Sequence, residues 1–154
     1  MSVKDTARKQ YVRIVDQAAR QLESIHQPSQ GWLSALRRAL GMSGAEVAAR
    51  MGVSRNAVYQ AERNEREGAI TISQMQKLAN AMGGRFIYAI VPEGSVDDVI
   101  RAQAHRKAEA RIRRASAHMA LEKQSLPAEQ TKQRIEELAD ELVREMPPDL
   151  WKTK

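Results

Sequence analysis

Arg55, Asn56, Tyr59 and Gln60 fall at i, i+1, i+4 and i+5, which on a helix is a single face. Their side chains share one chemistry. A guanidinium pairs bidentately with guanine O6 and N7, and a side-chain amide with adenine N6 and N7. A phenol lies against a thymine methyl or the backbone. Such a face reads base edges when a helix carries it into the major groove of DNA. The candidates for catalysis are poorer. His26, His105 and His118 are far apart, and zero cysteines exclude a thiolate metal site and a disulfide framework. His105 and Glu109 stand one helical turn apart, but two ligands without a third do not make a metal site. No phosphate-cradling glycine loop or nucleophile elbow occurs, and Gly83-Gly84 reads as a helix stop. The residues point to a binding protein with no cofactor, no metal and no reaction of its own.

The elements that must carry that face are written in GAEVAARMGVSRNAVYQAER, Gly44 to Arg63. Ser43 caps a first helix, and Glu46, three residues on, completes a capping box. Val47, Ala48 and Met51 share one face, with Ala48 small where two helices cross closest. Gly52 takes the reversal, where a positive φ costs glycine little. Val53 plugs the turn, Ser54 caps a second helix, and Ala57, Val58 and Ala61 return its apolar side to the first. This is a helix-turn-helix, with the polar face on the outside of its second helix. Ser43, Ser54, Arg38 and Arg63 surround that face and are expected on the DNA backbone.

The joint pattern of Val47, Ala48, Met51, Gly52-Val53, Val58 and Ala61 resembles the phage-repressor (XRE) family over roughly Gly31 to Val91. The resemblance implies an ion pair between an arginine of the preceding helix and a glutamate ending the recognition helix. Arg37 and Glu62 occupy those positions. One residue departs from the pattern: Gly44 stands where the family commonly has glutamine. A phosphate or base contact is therefore missing, and no relative's operator sequence transfers.

Charge follows the motif. Residues 31–92 carry 8 basic and 4 acidic groups, whereas residues 127–154 carry 5 and 7, within a chain of formal net charge +6. A basic maximum over a DNA-reading motif is the expected electrostatic footprint. Upstream, Tyr11, Val15, Ala18, Leu22 and Ile25 make an apolar stripe that predicts one helix over residues 3–26. Downstream, RNEREGAI reads as a polar surface loop, followed by a helix from about Ile72 to Met82. RFIYAIV, residues 85–91, reads as the one strand, dense in β-branched and aromatic residues and ended by Pro92. A lone strand needs a partner, so Phe86, Ile87, Tyr88, Ala89 and Ile90 are expected to pair antiparallel with a second copy. Ser95 opens a long helix to about Gln124, with six basic residues and one acidic between Arg101 and Arg114. Pro127 opens a last helix striped by Ile135, Leu138, Leu142 and Met146, and Trp151 stands in the tail.

The expected architecture is all-α with one short β-strand: a repressor-type helix-turn-helix bundle with added N- and C-terminal helices. Three segments are expected: an N-terminal helix (1–30), the DNA-binding domain (31–92) and a C-terminal helical extension (93–154). No apolar leader or membrane-length run occurs, so the expectation is a cytoplasmic protein without a membrane partner. The run from Gly31 through Glu93 also resembles a small bacterial family called mobile mystery protein A. Members are typically encoded beside a Fic-domain protein, so the resemblance implies an autoregulating antitoxin of a Fic-type toxin. Leu138, Leu142 and Trp151 are then the candidate partner-binding residues. Fic inhibitors often carry Ser/Thr, three residues, Glu, then Gly or Asn; Ser125 to Glu129 comes nearest and departs at Gln130. Two readings stay open at this point. One is a homodimeric repressor on a palindromic operator that also neutralises a toxin, the other a plain transcription factor whose C-terminal helices serve only fold and dimerisation.

Overall fold

A computed structural model describes residues 2–121 and 127–153. Its regular elements run α1 (Val3–Leu22), α2 (Trp32–Ala39), α3 (Gly44–Met51), α4 (Arg55–Glu67), α5 (Ile72–Ala81), α6 (Val96–Leu121) and α7 (Ala128–Glu145). Among the described residues every regular element is a helix. None of them is long and apolar enough to cross a membrane. The chain divides into two compact units, one of residues 24–89 and the other of residues 1–23 with 90–154. The N-terminal helix and the C-terminal helices, expected as separate segments, thus fall in one unit.

In the unit of residues 24–89, α2 to α5 close over a core of Leu33, Val47, Ala48, Val58, Met75, Leu78 and Met82. Leu36, Met42, Met51, Ala61, Ile70 and Phe86 pack around it. The sequence spacing gives each of these helices one apolar stripe, and burying those stripes together is the main driving force here. Thr71 caps α5, its hydroxyl oxygen accepting from the Gln74 N–H at 3.1 Å. The expected polar loop after Glu62 is instead helix: α4 continues to Glu67 and stops at Gly68, φ +75°. Four of the five residues in RNERE are good helix formers, and the glycine that follows is the stop.

The expected strand is not formed within the chain. Residues 85–91 run without a ladder, and among the described residues none of their backbone groups is hydrogen-bonded intramolecularly. Composition suits the segment to a strand, but a strand exists only with a partner, and no second segment has a matching pattern. Phe86 and Tyr88 stack at 5.5 Å between ring centroids, two residues apart on one side. Ile87, Tyr88 and Ile90 are left 65%, 63% and 91% exposed.

The other unit is built on α6 and α7, which pack through Ile100, Ala104, Ala108, Ala139 and Leu142. Three alanines among these let the two helices approach closely. Leu150, 1% exposed, returns from the tail to close the same core. The apolar seams of this extension therefore do make a core of their own. Helix α1 buries no residue fully. Its stripe is half-buried at Val15, Ala18 and Leu22, while Tyr11 and Ile25 are exposed, and it ends at Leu22, short of residue 26. Asp16 ties it to α6: its Oδ1 accepts from the Val96 N–H at 2.9 Å, satisfying a free donor of that helix's first turn. Ser95 and Asp98 complete the cap reciprocally, at 3.1 and 2.9 Å. The expected end of α6 near Gln124, and Ser125 of the Fic-inhibitor match, lie outside the described residues.

Candidate nucleic-acid interface

Two caps and one turn set the recognition helix. The Glu46 N–H donates to Ser43 Oγ at 3.1 Å while the Ser43 N–H donates to Glu46 Oε1 at 3.3 Å. Gly52, at φ +69° and ψ +33°, ends α3, and the Val53 N–H reaches back to Ala48 O at 3.1 Å. Ser54 Oγ accepts from the Ala57 N–H at 3.1 Å and starts α4. Val47, Ala48 and Val58, all nearly inaccessible, hold α3 against α4.

On the outer side of α4, Arg55 and Asn56 are exposed, and neither makes a hydrogen bond or ion pair among the described residues. Both are free to meet DNA. Gln60 is exposed but tethered, its Nε2 donating to Asn64 Oδ1 at 2.9 Å and its Oε1 accepting from Arg63 Nη1 at 3.0 Å. Arg63 is thus held along the same face rather than swung outward. Ser54 keeps its hydroxyl proton for an acceptor, whereas the Ser43 hydroxyl already donates to Glu46 Oε1 at 3.0 Å. A phosphate would have to displace that carboxylate to reach Ser43. Arg38 is exposed on α2.

Tyr59 does something the sequence did not reveal. Its ring lies against Gly44: a β-carbon there would meet Tyr59 Cζ at 2.5 Å and Oη at 2.7 Å. The Arg37 guanidinium sits 5.5 Å from the same ring's centroid. Glycine at position 44 is what gives Tyr59 its seat, so the lost glutamine and the tyrosine are one structural feature. Tyr59 remains 38% exposed, with an edge free at the surface.

Arg37 and Glu62 form a bidentate pair, Nε–Oε1 at 2.6 Å and Nη2–Oε2 at 3.2 Å, and Arg37 Nη1 donates to Met42 O at 3.2 Å. The Glu62 carboxylate holds the guanidinium pKa above its ordinary value. This pair locks α2 to the end of the reading face. Sequence reasoning missed Glu65. Its carboxylate accepts from the Trp32 N–H at 2.6 Å and the Leu33 N–H at 2.9 Å, capping α2 from 33 residues away. Gly31, φ +88°, leaves room for it, since a β-carbon there would touch Glu65 Oε1 at 2.8 Å. Only the helical composition of RNERE ahead of Gly68 could have placed Glu65 on a helix at all.

The candidates for a protein partner separate. Leu142, 3% exposed, is a core residue, and Leu138 packs beside it, because the α7 stripe is consumed by α6. Trp151 alone of the three is exposed, at 53%. His105 Nδ1 lies 4.0 Å from Glu109 Oε2, and Glu109 also binds Arg113. Among the described residues no group of three or more potential ligands is placed to hold a metal.

With this geometry in place, the comparisons fall on the same stretch. A helix-turn-helix family model matches residues 33–88, about a third of the chain. No curated protein and no solved structure matches the chain. Residues 33–88 are an XRE-type helix-turn-helix domain, the kind with which transcription regulators bind DNA.

Proposed function

We propose that this protein is a cytoplasmic, sequence-specific repressor that binds a palindromic operator as a homodimer and performs no catalysis. The observation that carries the reading is the outer face of α4, where Arg55 and Asn56 stand exposed and uncommitted beside Tyr59 and Gln60. Selection of bound duplexes from a random pool tests it and supplies the operator. Arg55→Ala then costs about 1–3 kcal/mol at the selected site and relaxes one base position. Arg38→Ala weakens binding to every duplex and flattens its salt dependence. Equal loss of cognate and random-DNA affinity in Arg55→Ala rejects base reading.

The dimer rests on residues 85–91, whose exposed apolar side chains and unpaired backbone suit them to antiparallel pairing with a second copy. Two recognition helices would then meet half-sites about 34 Å apart. Ile87→Pro removes a donor in mid-segment and lowers dimerisation and operator affinity together, read by sedimentation and gel shift. A wild-type monomer at micromolar concentration that still binds one palindrome tightly rejects this pairing.

A second role follows from the resemblance to mobile mystery protein A, that of antitoxin to a Fic-domain protein. One observation favours it. Trp151 and the 70%-exposed Tyr11 border an open apolar depression of about 440 Å³, with Val15, Val99 and Met146 in its wall. Trp151→Ala should abolish neutralisation of a neighbouring Fic protein on co-expression while leaving operator binding intact. An unrelated gene in that place leaves the plain regulator.

A further inference from the structure

The six basic residues of α6 between Arg101 and Arg114 do not form one solvated stripe. Arg101 pairs with Asp97 at 2.7 Å and lies 3.7 Å from Asp140, and Arg113 pairs with Glu109 at 2.5 Å. The other four, Arg106, Lys107, Arg111 and Arg114, line a concavity of about 270 Å³ together with Lys152. Among the described residues Asp149 is its one carboxylate. That acid is already neutralised, by Lys107 Nζ at 3.4 Å and Arg111 Nη2 at 3.5 Å. Among the described residues, Arg106, Arg114 and Lys152 have no carboxylate partner.

The concavity is a built feature. Lys107, its side chain only 13% exposed, also donates to the Asp149 carbonyl, and Gln103 Nε2 donates to Leu150 O at 2.8 Å. Leu150 inserts into the core, so the C-terminal turn is clamped over α6 and forms the far wall. The guanidiniums are aimed as well. Arg106 Nε and Nη2 both donate to Gln103 Oε1, at 3.2 and 2.9 Å, and Arg114 Nε donates to Ala110 O at 3.4 Å. Five cations around one spent carboxylate repel one another, and folding tolerates the crowding better when an anion fills the space. Residues 106 to 114 span roughly 12 Å along the helix, so the site suits an extended multivalent anion over a single ion. Guanidiniums match phosphate oxygens in geometry as well as charge.

We propose that the concavity of α6 and the C-terminal turn is a phosphate-binding site, distinct from the reading face of α4. Its phosphates come either from a free phosphorylated ligand or from the DNA backbone. The test uses the full chain and the Arg106→Gln/Arg114→Gln variant, which leaves the Lys107–Asp149 clamp in place. Tripolyphosphate is titrated while backbone amide resonances are followed, and binding to a 24-base-pair random duplex is measured across salt concentration. A free-ligand site gives tripolyphosphate shifts at residues 103–114 and 149–153, with affinity at least tenfold weaker in the variant. A DNA-backbone site gives a salt-dependence slope smaller by about 2 in the variant, at roughly 0.9 per phosphate contact. Either result supports the proposal. Shifts confined to other regions, or none, together with an unchanged slope, overturn it.

Discussion

Substituting Gly44 by alanine is expected to weaken the fold only because Tyr59 is there. The new β-carbon would meet three atoms of the phenol ring at 2.5, 2.7 and 2.9 Å, so the ring must leave its seat. Tyrosine offers about 150–250 Å² to burial, and at 38% exposure most of that is now covered. Full expulsion would therefore cost up to about 3 kcal/mol at roughly 25 cal/mol per Å². A partial tilt forfeits about half of that, including the contact with Arg37. Replacing glycine in a helix's first turn returns roughly 0.5 kcal/mol. The net loss is about 1 kcal/mol. In a Tyr59→Ala background the obstacle is gone, and Gly44→Ala should stabilise by about 0.5 kcal/mol. The cycle thus gives a coupling of about 1.5 kcal/mol, well above the roughly 0.3–0.5 kcal/mol by which independent sites fail to add. Urea unfolding measures it, followed by Trp32 emission in a Trp151→Phe chain so that the signal comes from the unit holding Gly44. A coupling under about 0.5 kcal/mol would refute the claim that glycine 44 exists to seat Tyr59.

Three other outcomes are expected. Arg37→Met strands the buried Glu62 carboxylate, 5% exposed, and should cost about 3 kcal/mol or more in the same urea assay. Adding Glu62→Leu should restore most of that loss, since an apolar pair of similar size needs no counter-charge. Glu65→Ala removes the acceptor that the Trp32 and Leu33 N–H groups share among the described residues, and should cost about 1–2 kcal/mol, with faster amide exchange at the start of α2. Acid should loosen the unit of α1, α6 and α7. Lys107 holds the Asp149 carboxyl below the ordinary 3.8, and the Ser95 N–H does the same for Asp98. Depressed carboxyl pKa values add stability above the unfolded value, and that stability is lost as pH falls below about 3.8 through the lower folded pKa. Trp151 emission against pH should show the loss, and Asp149→Asn should make the acid transition shallower.

Local signals carried most of the helix-turn-helix into the sequence. Ser43, Glu46, Gly52 and Ser54 fix caps and a turn within a few residues of themselves, and such rules act before any tertiary contact. The apolar positions Val47, Ala48 and Val58 were legible for a related reason, because helical spacing alone assigns them a side. What could not be read was which distant groups meet. Glu65 reaches across 32 and 33 residues to the start of α2, and Asp16 across 80 to Val96; neither pairing leaves a trace in local spacing. The basic run of α6 was visible as charge, but that Lys107 and Arg111 share a carboxylate while Arg106 and Arg114 have none among the described residues depends on where Asp149 arrives. Residues 85–91 mark the opposite limit. Their composition suits a strand, but composition does not supply the neighbour that a strand requires.

Helix α1 waits for its capped partner until α6 is made, and the core of that unit is incomplete until Leu150. The DNA-binding unit has no such dependence, since its last core side chain is Phe86. On a translating ribosome the two events are separated by more than sixty residues, which at about 5–20 residues per second is roughly 3–13 s. A nascent chain therefore completes its helix-turn-helix unit first, while α1, already made, still lacks α6. Premature termination between these points would release a headpiece without its companion unit. The turn at Leu150 is thus a late stitch in its unit, and its arrival completes the core of a unit whose first helix was made at α1.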